Sequence, residues 1–223
     1  MEVEIPPQFK LNGHGYSNEE LKEVAYSLIK EGEDFEKEIG DFLLDWLSPD
    51  SELTVRTSGS TGIPIGVALK KQDMVNSAKV TGEYFGLEPG DRVLLCLSTG
   101  YIAGKMMLVR ALVLGWDLEL KPPDSNPLEG LLRPVDFAAM VPMQLEASLD
   151  KLDKIKTILV GGAPLSKALL ARIPEEGVTI YESYGMTETA SHIALRKLCR
   201  VPDGESPEKV LPPFQALRWV EIS

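Results

Sequence analysis

"RVLLCLSTGYIAGKMMLVRALVLGWDLEL", Arg92 to Leu120, decides the fold. Its first part, "RVLLCLS", is apolar without alternation, as in a strand buried on both faces. Ala103 to Leu114 is too long an apolar run for one strand and predicts a buried helix. "WDLEL" then predicts a short second strand. A strand, a helix and another strand in succession imply parallel pairing, because parallel neighbours need a crossover between them.

The same rhythm extends in both directions. Downstream, "PPDSNP" (Pro122–Pro127) breaks the chain before a strand "FAAMV" and a helix beginning near Pro142. A strand "TILVGG", a helix from Ser166 and a strand "TIYES" follow. Upstream, "LTVRT" and "GVALK" read as strands and Asp73 to Phe85 as a helix. Ser17 with Glu20 fits a capping box, and Leu21, Val24, Ala25, Leu28 and Ile29 repeat at helical spacing after it. Phe35, Ile39, Phe42, Leu43 and Trp46 mark one face of a second helix, closed by "SPDS" at Ser48 to Ser51. The expected class is therefore α/β, with layered sheets and packed helices. Beyond Ser191, "HIALRKL" reads as a strand, "VPDGESPEKVLPP" as loop and "FQALRWVEIS" as a strand ending with the chain. A final strand without a closing helix predicts that the natural sequence continues past Ser223.

Bulk properties narrow the function. The chain has 223 residues, 43% of them hydrophobic and 26% charged, the balance of a globular protein. A formal charge of −11 argues against a nucleic-acid partner, since phosphate neutralisation needs a basic surface. It leaves room for a single nucleotide in a local cradle. Cys96 and Cys199 are too few for a disulfide framework and lie in no zinc-like cluster. No leader-like N-terminus or membrane-length apolar run is present, so the expected setting is cytoplasmic, with no membrane partner.

Three short segments carry chemistry. In "RTSGSTGIPIG" (Arg56–Gly66), Gly59 and Gly62 permit close backbone approach, and Thr57, Ser58, Ser60 and Thr61 add hydroxyls. Such a turn can hold phosphate oxygens on its amides, although it is not a Walker loop and joins two strands. By itself it reads equally well as a solvated hairpin. "YGMTET" (Tyr184–Thr189) brings together an aromatic face, a hydroxyl on Thr187 and a hard oxygen ligand on Glu188, suited to Mg2+; in isolation it reads as readily as a strand end followed by a polar turn. "VGGAP" (Val160–Pro164) follows a buried strand and leaves an open backbone edge, or is simply a turn capped by Ser166.

In this order and spacing, the three segments resemble those of the adenylate-forming superfamily of acyl- and aryl-CoA synthetases, luciferases and peptide-synthetase adenylation domains. Within it, the short lead before the first segment, "LSTGYIAGKMMLVRALVLG" and "YGMTETASHIAL" are most similar to the o-succinylbenzoate–CoA ligases of menaquinone biosynthesis. The resemblance implies a ligase: ATP activates a small-molecule carboxylic acid to an acyl-adenylate, and coenzyme A then displaces AMP. Other CoA synthetases, amino-acid adenylation domains and a nucleotide-binding module without turnover are the alternatives.

The resemblance also assigns roles. Thr57 to Gly62 would clasp the β- and γ-phosphates, Thr187 would donate to the α-phosphate, and Glu188 would hold Mg2+. Tyr184 would pack on adenine, with Gly162 and Ala163 along its edge and Gly185 and Met186 completing the nucleotide contact. Tyr101, Gly104, Lys105 and Ser191 would line the acid pocket, with His192 a polar wall beside them. Lys105 has two readings: a cation for the second carboxylate of a dicarboxylate substrate, or a lysine whose stem packs while its ammonium reaches water. Two departures stand out. Ile65 occupies the place of the family's phosphate-loop lysine, and the family's ribose-binding Asp motif, hinge and lysine-bearing small C-terminal domain have no counterpart here. Residues 1–223 are thus expected to be the N-terminal AMP-binding domain, truncated before the hinge. None of these segments assigns an oligomeric state.

Overall fold

The computed structural model describes residues 4–56, 66–202 and 204–217, and falls into two compact units. One comprises residues 1–123 with 186–191, the other residues 124–185 with 192–223.

The first unit opens with two short strands, β1 (Lys10–Leu11) and β2 (His14–Gly15), that the sequence reading did not anticipate. The signal for them is Asn12–Gly13: both residues have positive φ (50° and 82°), the geometry of a two-residue hairpin turn that favours Asn-Gly. Helices α1 (Asn18–Glu31) and α2 (Asp34–Leu47) follow. Ser17 and Glu20 do form the capping box: the Ser17 hydroxyl accepts the Glu20 amide and the Glu20 carboxylate accepts the Ser17 amide. Strands β3 (Glu52–Arg56) and β4 (Gly66–Lys70) pair antiparallel as a hairpin, with Arg56 opposite Gly66. Then come α3 (Lys71–Phe85), β5 (Arg92–Leu95), α4 (Ile102–Leu114) and β6 (Asp117–Leu120). As predicted from the crossover, β5 and β6 are parallel, and β1 adds to β6 in parallel too. Helix α4 is apolar almost all round because Met106 to Leu112 are all buried.

The second unit continues the alternation with β7 (Val135–Met140), α5 (Pro142–Ala147), β8 (Ile155–Val160), α6 (Lys167–Leu170) and β9 (Thr179–Gly185). β7, β8 and β9 run parallel in one register series, and Phe137, Ile158, Val160 and Ile180 are buried in their core. Antiparallel β10 (His192–Lys197), the one-turn helix α7 (Pro207–Val210) and β11 (Gln215–Ala216) complete it. Four details differ from the sequence reading. "VPDGESPEKVLPP", read as loop, contains the one-turn helix α7. The helix after Pro142 stops at Ala147 and gives way to a 3₁₀ stretch, Leu149–Lys154. α6 is a single turn. β9 runs through Tyr184 and Gly185, so these two residues end a strand rather than follow one.

Candidate functional site

In the second unit, three parallel strands deliver their carboxyl ends together, the place where open α/β sheets receive ligands. β8 ends at Val160 and continues into Gly161, Gly162 and Ala163, while β9 ends with Tyr184 and Gly185. The two ends are tied to each other and to β7. The Ser183 hydroxyl donates to the Val160 carbonyl at 3.0 Å, and the Gly161 amide donates to Met140 at 3.1 Å. Tyr184 is exposed and meets Phe214 edge-on, ring centres 6.2 Å apart. Phe214 in turn lies under the Arg196 guanidinium at 4.5 Å, and Arg196 bonds Glu182 at 2.6 Å. The structure thus brings Gly162, Ala163, Tyr184 and Gly185 to one end of one sheet. It also buries His192 on β10, opposite Gly185.

In the first unit, the chain from Met186 to Ser191 forms a tight turn with a 3₁₀ segment at Thr187–Thr189. Glu188 is exposed, Thr187 half-buried, and this segment packs against β4 of the hairpin. Thr57 to Gly62, and Ile65, lie outside the described residues, but the strands on either side of them are the two arms of that hairpin. Hairpin and Glu188 turn therefore share one unit.

α4 supplies the remaining candidates. Tyr101 caps its start and is exposed. The loop before it is held by Glu38 of α2, whose carboxylate accepts the Ser98 hydroxyl at 2.5 Å and the Gly100 amide at 3.2 Å. Thr99, between them, is buried, and its hydroxyl makes no hydrogen bond among the described residues. Gly104 has a packing reason to be glycine: a Cβ there would lie 2.2 Å from the Ser98 carbonyl oxygen. Lys105 faces α2, its ammonium 4.6 Å from the Phe42 ring centre. Burial lowers its pKa, and Asp45, Glu38 and Asp41 oppose that shift.

One residue was not singled out in the sequence. Arg110, five positions beyond Lys105, is 2% exposed; its guanidinium donates to the Ser191 hydroxyl at 2.5 Å and to Thr81 at 3.3 Å. Burial pushes it down to about 9, so it keeps its charge at neutral pH. The signal was present: Arg110 is the second charge inside "YIAGKMMLVRALVLG", and a charge in an apolar helix needs a partner. Among the described residues no cluster of three or more His, Cys, Asp or Glu could hold a metal. A lone exposed carboxylate such as Glu188 instead fits a cation that arrives on a nucleotide's phosphates. No helix among the described residues is long and apolar enough to cross a membrane.

Comparison with known proteins bears on the family and the fold. The AMP-binding enzyme family matches residues 20–218. A 2-succinylbenzoate–CoA ligase of Bacillus mycoides (strain KBAB4) is 32% identical over 162 residues, covering 68% of this chain and 34% of its own length. An acyl-CoA synthetase (AMP-forming)/AMP-acid ligase II-like protein from Dyadobacter fermentans DSM 18053 superposes with a TM-score of 0.71 at 40% identity, covering 79% of this chain and 52% of that one. The Bacillus subtilis o-succinylbenzoate coenzyme A synthetase in complex with ATP and magnesium gives a TM-score of 0.57 at 25% identity, covering 82% and 45%. The chain spans about a third of the length of the curated relative and about half of these solved chains. Fold, motif order and matched span lead to one assignment: the chain belongs to the AMP-binding enzyme family.

Proposed function

We propose that this protein activates a carboxylic acid with ATP, forming an acyl-adenylate, and passes the acyl group to coenzyme A. A free carboxylate resists attack because charge must build on an anion. When its oxygen attacks the α-phosphorus of ATP, the bond to pyrophosphate breaks, and that oxygen becomes part of an AMP leaving group which the coenzyme A thiol then displaces. The observation that carries the reading is the packing of the Thr187–Thr189 turn against β4, the strand that follows "RTSGSTGIPIG" in the sequence.

In this reading, amides and hydroxyls of Thr57–Gly62 hold the β- and γ-phosphates. Thr187 donates to the α-phosphate and Glu188 is the protein ligand of Mg2+. When bound, Mg2+ neutralises phosphate charge and favours departure of pyrophosphate. Tyr184 offers its face to adenine, Gly162 and Ala163 offer backbone edge, and Gly185 and Met186 complete the nucleotide contact. For the acid we name o-succinylbenzoate, on the similarity to ligases of that name. Its second carboxylate calls for a fixed cation. Arg110 fits that role better than Lys105, because its guanidinium already lies on Ser191 while Lys105 sits among the carboxylates of α2. Tyr101 and Ser191 complete the acid contact, and Gly104 lets α4 approach its loop. We place the protein in the cytoplasm and read residues 1–223 as its AMP-binding domain.

ATP–pyrophosphate exchange with a panel of acids tests this. Exchange should appear with o-succinylbenzoate and fall at least tenfold in Arg110→Leu, while Lys105→Met should change it less than threefold, since a lost charged hydrogen bond is worth about 1.5–3 kcal/mol. Exchange with amino acids alone would refute the assignment. One observation favours a binding module without turnover: Ile65 stands where the family carries lysine. Stabilisation by Mg-ATP with no exchange for any acid would mark that case.

A further inference from the structure

We propose that Thr189 is the positioning residue that holds Thr187 and Glu188 in their working geometry, an inference that rests on the phosphate and magnesium roles given to those two residues. Met186 to Ser191 is a loop closed on one atom. The Thr189 hydroxyl oxygen accepts the Met186 amide at 3.1 Å and lies 2.9 Å from the Met186 carbonyl and 2.7 Å from the Ser191 carbonyl. Its single proton is donated to one of those two carbonyls. Both ends of the hexapeptide are thereby tied to a side chain lying between them. The backbone adds two bonds inside the ring, Thr189 amide to Met186 carbonyl at 3.3 Å and Ala190 amide to Thr187 carbonyl at 2.9 Å.

Ala190 provides an independent mark of constraint. Its φ is 61° with ψ −29°, and among the described residues only Asn12 and Ala190 are non-glycine residues with positive φ. Asn12 sits in a hairpin turn, where asparagine tolerates that geometry. Alanine has no side-chain group to compensate, so this conformation persists only when surrounding bonds impose it. Those bonds are the Thr189 ring on one side and the Arg110 guanidinium on Ser191 on the other. Without the hydroxyl, Ala190 is free to return to negative φ, and the turn bearing Glu188 rotates with it. Glu188 is the exposed residue of the Thr187–Thr189 segment, so its carboxylate direction follows the backbone of the turn. A hard-oxygen ligand displaced by an ångström loses its cation contact, so the effect should fall on the magnesium-dependent part of nucleotide binding.

Calorimetric titration of the purified chain with ATP, once with Mg2+ and once with EDTA, tests this on Thr189→Val, Thr189→Ser and Glu188→Gln. Thr189→Val should weaken Mg-ATP binding about tenfold and leave the EDTA titration within about twofold. Thr189→Ser, which keeps the hydroxyl, should restore most of the affinity, and thermal midpoints of all variants should stay close together. Thr189→Ala takes the place of valine if the latter fails to fold, with the same loss expected. The inference is overturned if the hydroxyl-free variant titrates like the parent, if the loss is equal with and without Mg2+, or if serine does not rescue. A parent chain that does not bind Mg-ATP, or a Glu188→Gln variant that keeps its full magnesium dependence, instead removes the functional reading and this inference with it.

Discussion

Cys96 and Cys199 have the same chemistry and opposite environments. Cys96 follows β5, is fully buried, and its burial pushes the thiol up to about 12. Cys199 is exposed. A thiol reagent should therefore modify one cysteine per native chain and two after unfolding, as counted by absorbance of the released chromophore. Rapid reaction of both in native buffer would contradict the packing of β5. The pH dependence has a definite sign. The folded thiol binds its proton more tightly than the unfolded one, so the stability it contributes is complete below pH 9 and declines as pH rises towards 12. The reading of "RVLLCLS" as a strand buried on both faces already placed Cys96 inside. Residue identity did not separate Lys105 from Arg110, two cations on one apolar helix, because that needs the face each presents: α2 for Lys105, α3 and Ser191 for Arg110.

Elements are held together by fewer groups than their lengths suggest, and Lys71 is one of them. It starts α3 directly after β4, and its amide donates to Ser51 at 2.9 Å. Its buried ammonium donates to the carbonyls of Trp46 and Ser48 at 2.9 and 2.8 Å, at the C-terminal end of α2. A cation there satisfies carbonyls that the helix cannot and complements the helix dipole. Burial lowers its pKa, against the pull of Asp50 and Asp45. Lys71→Met should cost about 3 kcal/mol, since buried carbonyls lose their donor, and should show as an earlier urea midpoint. A change below about 0.5 kcal/mol would mean that water replaces the ammonium. At this scale the sequence was most legible where a local rule governs, as in the Ser17–Glu20 capping box, the α4 run and the β3–β4 alternation. It was least legible where tertiary pairing decides. β1 has only two residues and exists because β6 lends it a parallel edge, and β9 is drawn out to Gly185 by pairing with His192 on β10.

At the scale of the whole chain, the α/β alternation was readable in the sequence and the fold agrees with it, while the resemblance carried by the three segments agrees with the family match over residues 20–218. What the sequence could not supply was the packing of the Glu188 turn on β4, or the Arg110 contact with Ser191, because each joins residues distant along the chain. The proposed function requires that "TSGSTG", "VGGA" and "YGMTET" each contact Mg-ATP. Amide hydrogen exchange of the chain with and without Mg-ATP tests it most directly. Protection should rise together in Thr57–Gly62, Gly161–Ala163 and Tyr184–Thr189, and all three gains should be lost in Glu188→Gln under the same conditions. Nucleotide protection confined to other segments, or no protection at saturating Mg-ATP, would contradict it.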